Sequence, residues 1–373
     1  MVMQLLFLYF SIFKSKIVKE IPINSAYIYH IFLIVFFCIG FYWSRRNKES
    51  GVKEEYQIVS INHFFYLLFY TLCILGFFTS VITIAKVSSL EEYFRLLIAN
   101  SENPTRLIEI RNAANSSGLK GHFKMLNYLP LGVFLLTSSF LLFYKFTDCK
   151  ERKKILYLNV FALIISFLKI LFSLERLTVL AILIVLLHSF FYLNKKIRIV
   201  SFLLLFTAFG FLKFVTSTRM NNITVIDFII AYCRLGISNF QLLIDNFNNW
   251  TFGMNTFLNP LYFISKDFNY QLDVASANVY LWGGAPQYFF GYLYMDFGIL
   301  SFIVILLLGI LLGYIQNNIN EKKPLAIVLY FVIFFAICTT IVVPIFRAVE
   351  FWVLIIIAIV SLYFVNFVTE TEV

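Results

Sequence analysis

Four arginines stand where an apolar chain would ordinarily avoid them: Arg176 in "SLERLTVL", Arg219 in "TSTRMNN", Arg234 in "YCRLG" and Arg347 in "PIFRAVEF". A guanidinium presents a planar fork of donors that fits a phosphate or carboxylate bidentately, which a lysine ammonium does not. Two carboxylates accompany them. Glu175 directly precedes Arg176, and Asp296 lies in "YLYMDFGIL", within an apolar run. An ionisable group in such a run is functional by default, although Asp296 could equally serve as a helix-dipole partner or pair with Arg347. His122 opens a further apolar run. It reads either as an interfacial histidine or as a titratable base near neutral pH. Anion recognition beside acid–base groups is the chemistry open to this set, provided the apolar runs bring its members to one side.

Those runs dominate the chain. Of 373 residues 61% are hydrophobic and only 13% charged, about half the charged share of a soluble domain. Residues 61–85, "INHFFYLLFYTLCILGFFTSVITIA", contain no Asp, Glu, Lys or Arg, and about 20 such residues cross a ~30 Å hydrocarbon core. Only helices or closed barrels satisfy the backbone in lipid. The expectation is therefore an all-α, polytopic integral membrane protein forming one membrane domain over residues 1–373, with almost no strand. Apolar blocks predict about ten helices, near 2–13, 27–43, 61–86, 123–144, 155–171, 176–193, 199–215, 288–315, 325–343 and 350–368.

The net charge of +10 sits in short segments between these blocks: "RRNKESGVK", "KFTDCKERKK" and "KKIR". Basic loops of this kind mark the cytoplasmic side, so the charge reports topology and not a nucleic-acid partner. Both ends of the chain then face the cytoplasm, and residues 87–122 and 216–287 face outward. "KSKIVKE" (Lys14 to Glu20) falls outside and runs against the rule. The first outer segment opens with "SLEEYFRLLIAN", a helix that Ser88 or Ser89 can cap. The second predicts short amphipathic helices lying along the membrane face. The N-terminal apolar stretch precedes its positive charge, the reverse of a secretory signal, and reads as a short first span. Five cysteines without a CxxC pair or Cys/His cluster predict neither a disulfide framework nor a metal.

The block from Ile155 to Leu193 is roughly twice the length of one span. It must turn, and "SLER" is the only place polar enough. Arg176 then opens the sixth helix on the outer side, with Glu175 as a dipole partner or a carboxylate orienting it. The guanidinium could snorkel to the headgroups, or bind an anion where a helix N-terminus offers free N–H groups. External arginines are disfavoured by topology, which favours the second reading. Arg219 and Arg347 sit just beyond span ends, where a membrane-embedded diphosphate would lie. Lys169 and Lys213 read as snorkelling or inter-helix residues, and His30, His63 and His188 as structural.

Several segments together resemble the O-antigen polymerase (Wzy-type), or oligosaccharide repeat-unit polymerase, family. They are the turn "SLERLTVLAILIVLL", "TFGMNTFLNPL" (Thr251 to Leu261), "SANVYLWGGAPQYFFGYLYMDFGILSFIVILLLGILLG" (Ser276 to Gly313) and "SLEEYFRLL". The resemblance implies a GT-C-like glycosyltransferase in the bacterial inner membrane, its active site facing the periplasm. Such enzymes join oligosaccharide units carried on undecaprenyl diphosphate, without metal or nucleotide cofactor, in some cases beside a chain-length regulator. It assigns Arg176, Arg219, Arg234 and Arg347 to the diphosphate. A base is wanted for the acceptor hydroxyl, with Asp296, Glu175 and His122 as candidates. The aromatic residues of the long outer segment form either an interfacial belt or faces for stacking on sugar rings, with Trp282 and Tyr280 the sugar-binding candidates. Two features depart from the family: "DFGILSF" carries Ser301 where a glycine is usual, and the histidine base of related glycan ligases has no match. A flippase for the same lipid-linked unit and a glycan ligase are the competing readings; no internal repeat of the transporter kind is present.

Overall fold

The computed structural model describes residues 9–13, 23–46, 56–98, 109–110, 113, 125–173, 176–192, 210, 225–246, 250–258, 289–320, 323–339, 346 and 349–369. These are mostly helical. Five helices are long and apolar enough to cross a membrane: Asn24–Arg45, His63–Ala85, Leu126–Phe143, Cys149–Phe172 and Phe290–Ile319. Pro324–Ile337 and Phe351–Phe364 are apolar but shorter. The chain is thus a helical membrane protein with five candidate spans among the described residues. Of the expected span at 2–13 only residues 9–13 are described, and of that at 199–215 only residue 210. Contacts divide the chain into two compact units, where the sequence suggested one domain.

The first unit comprises Met1–Lys53, Ile226–Glu321 and Ala336–Trp352. Its principal pair is α1 (Asn24–Arg46) against a C-terminal helix over Ser301–Asn320. Small residues bring these backbones together. A Cβ at Gly313 would stand 2.6 Å from the Phe41 carbonyl oxygen and 2.8 Å from Ser44 Cβ. One at Gly309 would strike the Phe37 carbonyl, and one at Gly40 that of Leu306. "GILLG" is therefore a close-packing motif of the small-xxx-small kind. On the same helix Ile303, Leu307 and Leu311 are exposed at four-residue spacing, an apolar stripe that suits lipid and not water.

The second unit comprises Glu54–Val225, Lys322–Phe335 and Val353–Val373. In chain order it contains β1 (Tyr56–Ile61), α2 (His63–Ala85), α3 (Leu90–Ile98), a 3₁₀ turn at Met125–Tyr128, α4 (Leu129–Phe143), β2 (Lys145–Phe146), α5 (Cys149–Ser173) and α6 (Arg176–Tyr192). Asn62 caps α2 by accepting from Phe64 N at 3.0 Å. Pro130 starts α4, where a missing N–H costs nothing. Asn159 of α5 reaches Thr137 Oγ1 at 2.9 Å and Ser138 Oγ at 2.8 Å on α4, an inter-helix polar cluster inside apolar spans. His188 of α6 packs among Phe143, Tyr330, Phe331 and Phe334, a structural setting as expected.

The remaining elements are α7 (Val225–Asn246), α8 (Phe289–Phe297), α9 (Ser301–Asn320, the helix that packs on α1), α10 (Pro324–Thr339), α11 (Val349–Ser361) and β3 (Val365–Thr369). Two expectations are corrected here and one is refined. The semi-apolar stretch in the second outer segment forms one 22-residue helix, α7, and not short pieces; its buried Ile237, Phe240 and Leu243 recur at helical spacing despite the polar residues between them. The run expected to span 288–315 is a candidate span, Phe290–Ile319, that carries a 3₁₀ turn at Gly298–Leu300. The last run does not stay helical to 368, because residues 365–369 become β3.

The few strands fit the expectation of almost none. They form one sheet in the order β2-β1-β3, with β1 parallel to β2 and antiparallel to β3. A sheet cannot lie open in hydrocarbon, so these three segments share one side of the membrane. Each adjoins a stretch that the basic loops place together. An even number of crossings must then separate β1 from β2, and among the described residues α2 and α4 are the two candidate spans between them.

Cysteine chemistry offers a check on the packing. Cys149 is exposed at the start of α5, whereas Cys233 is buried on α7, and burial pushes its thiol up to about 12. In variants retaining a single cysteine, Cys149 should take a maleimide readily at neutral pH and Cys233 only after denaturation. Equal labelling of both in the folded protein would contradict the described seat of α7.

Candidate functional site

The second unit holds a candidate region of its own at the break between α5 and α6. The long apolar block does split there, after Ser173, and Arg176 is the first residue of α6. Its backbone stands among the first-turn N–H groups that no intrahelical partner satisfies. The end of α5 is held by α3. Ser89 accepts from Glu92 N at 3.1 Å, and the Glu92 carboxylate accepts from Ser88 Oγ at 2.9 Å, so both serines capable of capping are used. This fixes the helix on which Tyr93 is fully buried. The Tyr93 hydroxyl donates between the carbonyls of Leu171 at 2.8 Å and Phe172 at 2.9 Å, two acceptors at the C-terminal end of α5. Phe172 stacks on Tyr93 and meets Phe77 and Phe94 edge-on. The "SLEEYFRLL" segment thus clamps the helix that ends at "SLER".

Of the two expectations for Lys169, snorkelling or an inter-helix role, the second holds: the side chain is fully buried, and its Nζ lies 4.1 Å from the centroid of the Tyr128 ring. A cation against an aromatic face, on the turn just before the break, is a cation–π contact within the helix bundle.

In the first unit, Asp296 is fully buried near the end of α8. Its carboxylate accepts from the Thr251 hydroxyl through Oδ1 and from Thr256 N through Oδ2 at 2.7 Å. The backbones join as well, Thr251 N donating to Met295 O at 3.1 Å and Phe252 N to Asp296 O at 2.8 Å. The "TFGMNTF" and "YMDFG" segments are therefore one assembly. The chain between turns sharply through Phe252 and Gly253, at φ 48° and 91°, into a π-helical turn at Met254–Leu258. Gly298 is required twice over: its φ is 51°, and a Cβ would come within 2.6 Å of the Trp250 ring. The Gly298 carbonyl accepts from the Tyr29 hydroxyl at 2.7 Å, and Ser301 Oγ lies 2.9 Å from the same hydroxyl. Ser301 thus has a polar partner of its own.

Such a carboxylate is poorly disposed to act as a base, which needs an oxygen within reach of the substrate hydroxyl. Its geometry suits positioning. Asp296→Asn retains the shape but turns an N–H₂ toward one of two donors, and should cost about 1–3 kcal/mol of stability. Thermal unfolding in detergent would read this as a lowered midpoint; an unchanged midpoint would argue against the described bonds.

Arg234 is half-buried on α7 and donates through Nη1 to the Ser11 carbonyl at 3.1 Å. That carbonyl belongs to the short helical stretch at residues 9–12, so at least one N–H of this arginine serves packing. Glu175, His122, Arg219, Arg347, Tyr280 and Trp282 lie outside the described residues, as does the side chain of Arg176. Sequence reasoning passed over Thr251, Thr256 and Tyr93. Only the recurrence of the flanking segments as recognisable elements could have pointed to them. No family model, curated protein or solved structure matches the chain.

Proposed function

We propose that this protein is a polysaccharide polymerase that joins undecaprenyl-diphosphate-linked oligosaccharide units on the outer leaflet of a bacterial inner membrane. One observation carries the reading: the segments that resemble the polymerase family's elements pack in pairs. "SLEEYFRLL" clamps the helix leading to "SLER" through Tyr93, and the Thr251–Phe257 turn is bonded to Asp296 of "MDFG". Within each unit, residues that serve a site are expected to be held by such neighbours.

The reaction follows from the substrate. A hydroxyl of the acceptor unit attacks the anomeric carbon of the growing chain, the new glycosidic bond forms, and the bond from that carbon to the diphosphate breaks. Undecaprenyl diphosphate departs with the electron pair. Arg176, at the head of α6, stabilises the charge that develops on the diphosphate, assisted by Arg219 and Arg347. The hydroxyl proton passes to a base, for which Glu175 and His122 remain once Asp296 is occupied in positioning.

Deletion of the gene, followed by electrophoresis of surface polysaccharide, tests the proposal. A product of single repeat units is expected. Complete loss of surface repeats would point instead to a flippase, and full-length polymer stranded on its carrier to a ligase.

A further inference from the structure

We propose that the Trp250–Phe257 turn is a platform for the apolar face of a sugar ring, with Phe252 as its contact surface and Asp296 as the residue that positions it; this rests on the polymerase reading. Phe252 is 71% exposed although its backbone sits at φ 48°. A bulky L-residue rarely adopts the left-handed region, where its Cβ crowds the following carbonyl oxygen. Such strain persists only where the surroundings impose it, and it clusters at sites of ligand contact.

The surroundings here do impose it. Backbone bonds from Thr251 and Phe252 to Met295 and Asp296 hold both sides of the turn. The Asp296 carboxylate, bonded to the Thr251 hydroxyl and to Thr256 N, closes it from beneath. Trp250, two residues earlier and 44% exposed, lies against Gly298 and offers a second ring.

A lipid anchor would need none of this. The bilayer accepts an apolar side chain from any helix face, as it can Ile303 or Leu307 of α9, and imposes no direction on the ring. A pyranose is more demanding. It carries C–H groups on one face and hydroxyls around its rim, so an aromatic ring of fixed direction can take the C–H face while leaving the hydroxyls to polar partners. A strained, multiply bonded turn that ends in an outward phenyl ring meets that demand. The ligand class is accordingly the oligosaccharide of the lipid-linked unit, not its lipid.

The test uses the full chain purified in nanodiscs and, as probe, the repeat-unit oligosaccharide released by mild acid from the producing strain's surface polysaccharide. Phe252→Ala and Phe252→Leu should each weaken oligosaccharide binding by about tenfold, with thermal midpoints equal to wild type. Phe252→Tyr, which keeps the aromatic face, should stay within about twofold. Leucine separates the two explanations, since it preserves affinity for lipid and loses the face. Wild-type affinity in Phe252→Leu would overturn the platform and leave a membrane anchor. If wild-type protein fails to bind the oligosaccharide while the deletion strain makes single repeats, the platform falls and the polymerase stands. If the Phe252 variants lose binding while the deletion strain makes full-length polymer, the glycan platform stands and the polymerase reading falls.

Discussion

Cells carrying Arg176→Ala should display surface polysaccharide of single repeat units while the protein accumulates at its normal level. Arg176 is the first residue of α6, where unpaired N–H groups and the positive dipole end already favour an anion. Loss of a positioned donor to a developing anion typically lowers turnover by about 10²–10³-fold, enough to erase a polymer ladder that depends on many successive transfers. Arg176→Lys is expected to recover only part of the length, because an ammonium cannot grip a phosphate bidentately. An intact ladder in the alanine strain would remove Arg176 from the diphosphate site and leave it an interfacial anchor.

The second large effect concerns packing. Gly309→Leu should prevent α9 from seating on α1, since even a Cβ at this position strikes the Phe37 carbonyl. Overpacking of side chains costs about 1–3 kcal/mol; here the neighbour is backbone, which cannot rotate away, so the upper end or beyond is expected. Monodisperse protein should be scarce and its thermal midpoint several degrees low. Leu307→Ala, two residues away on the exposed stripe, should leave both unchanged. A Gly309→Leu protein as stable as wild type would mean that the two helices do not touch along this seam.

Helices were legible in the sequence to the extent that lipid dictates them. α2 occupies 63–85 against an expected 61–86, because an uncharged run of that length has few alternatives. Length arithmetic likewise located the break before Arg176. The sheet was not legible: "YQIVSI" is six residues, too short to outweigh neighbouring apolar runs, and its partners lie far along the chain. α7 was underestimated because Arg234, Asn239 and Gln241 interrupt its apolar pattern, yet Gln241 uses its side chain to accept from Ala26 N at the head of α1. The identity of Asp296 as a candidate was readable from its apolar setting. Its role was not, since that depends on Thr251 and Thr256, which come close only in the folded chain. "GILLG" is readable as a packing motif, but its partner Gly40 on α1 is not, because it lies far away along the chain.

The three-stranded sheet bears on how the protein is made. β1 leaves the ribosome early, whereas Thr369, the partner of Tyr56, follows roughly 15–60 seconds later at about 5–20 residues per second. Throughout synthesis, then, β1 has an open edge, and a newly made edge of this kind readily joins the wrong strand. The neighbouring "RRNKESGVK" stretch, dense in charge, is well suited to discourage such mispairing until β3 arrives. Completion of the sheet is therefore a late assembly step, and shortening the chain before Val365 should leave a membrane-inserted but immature protein open to quality-control proteases.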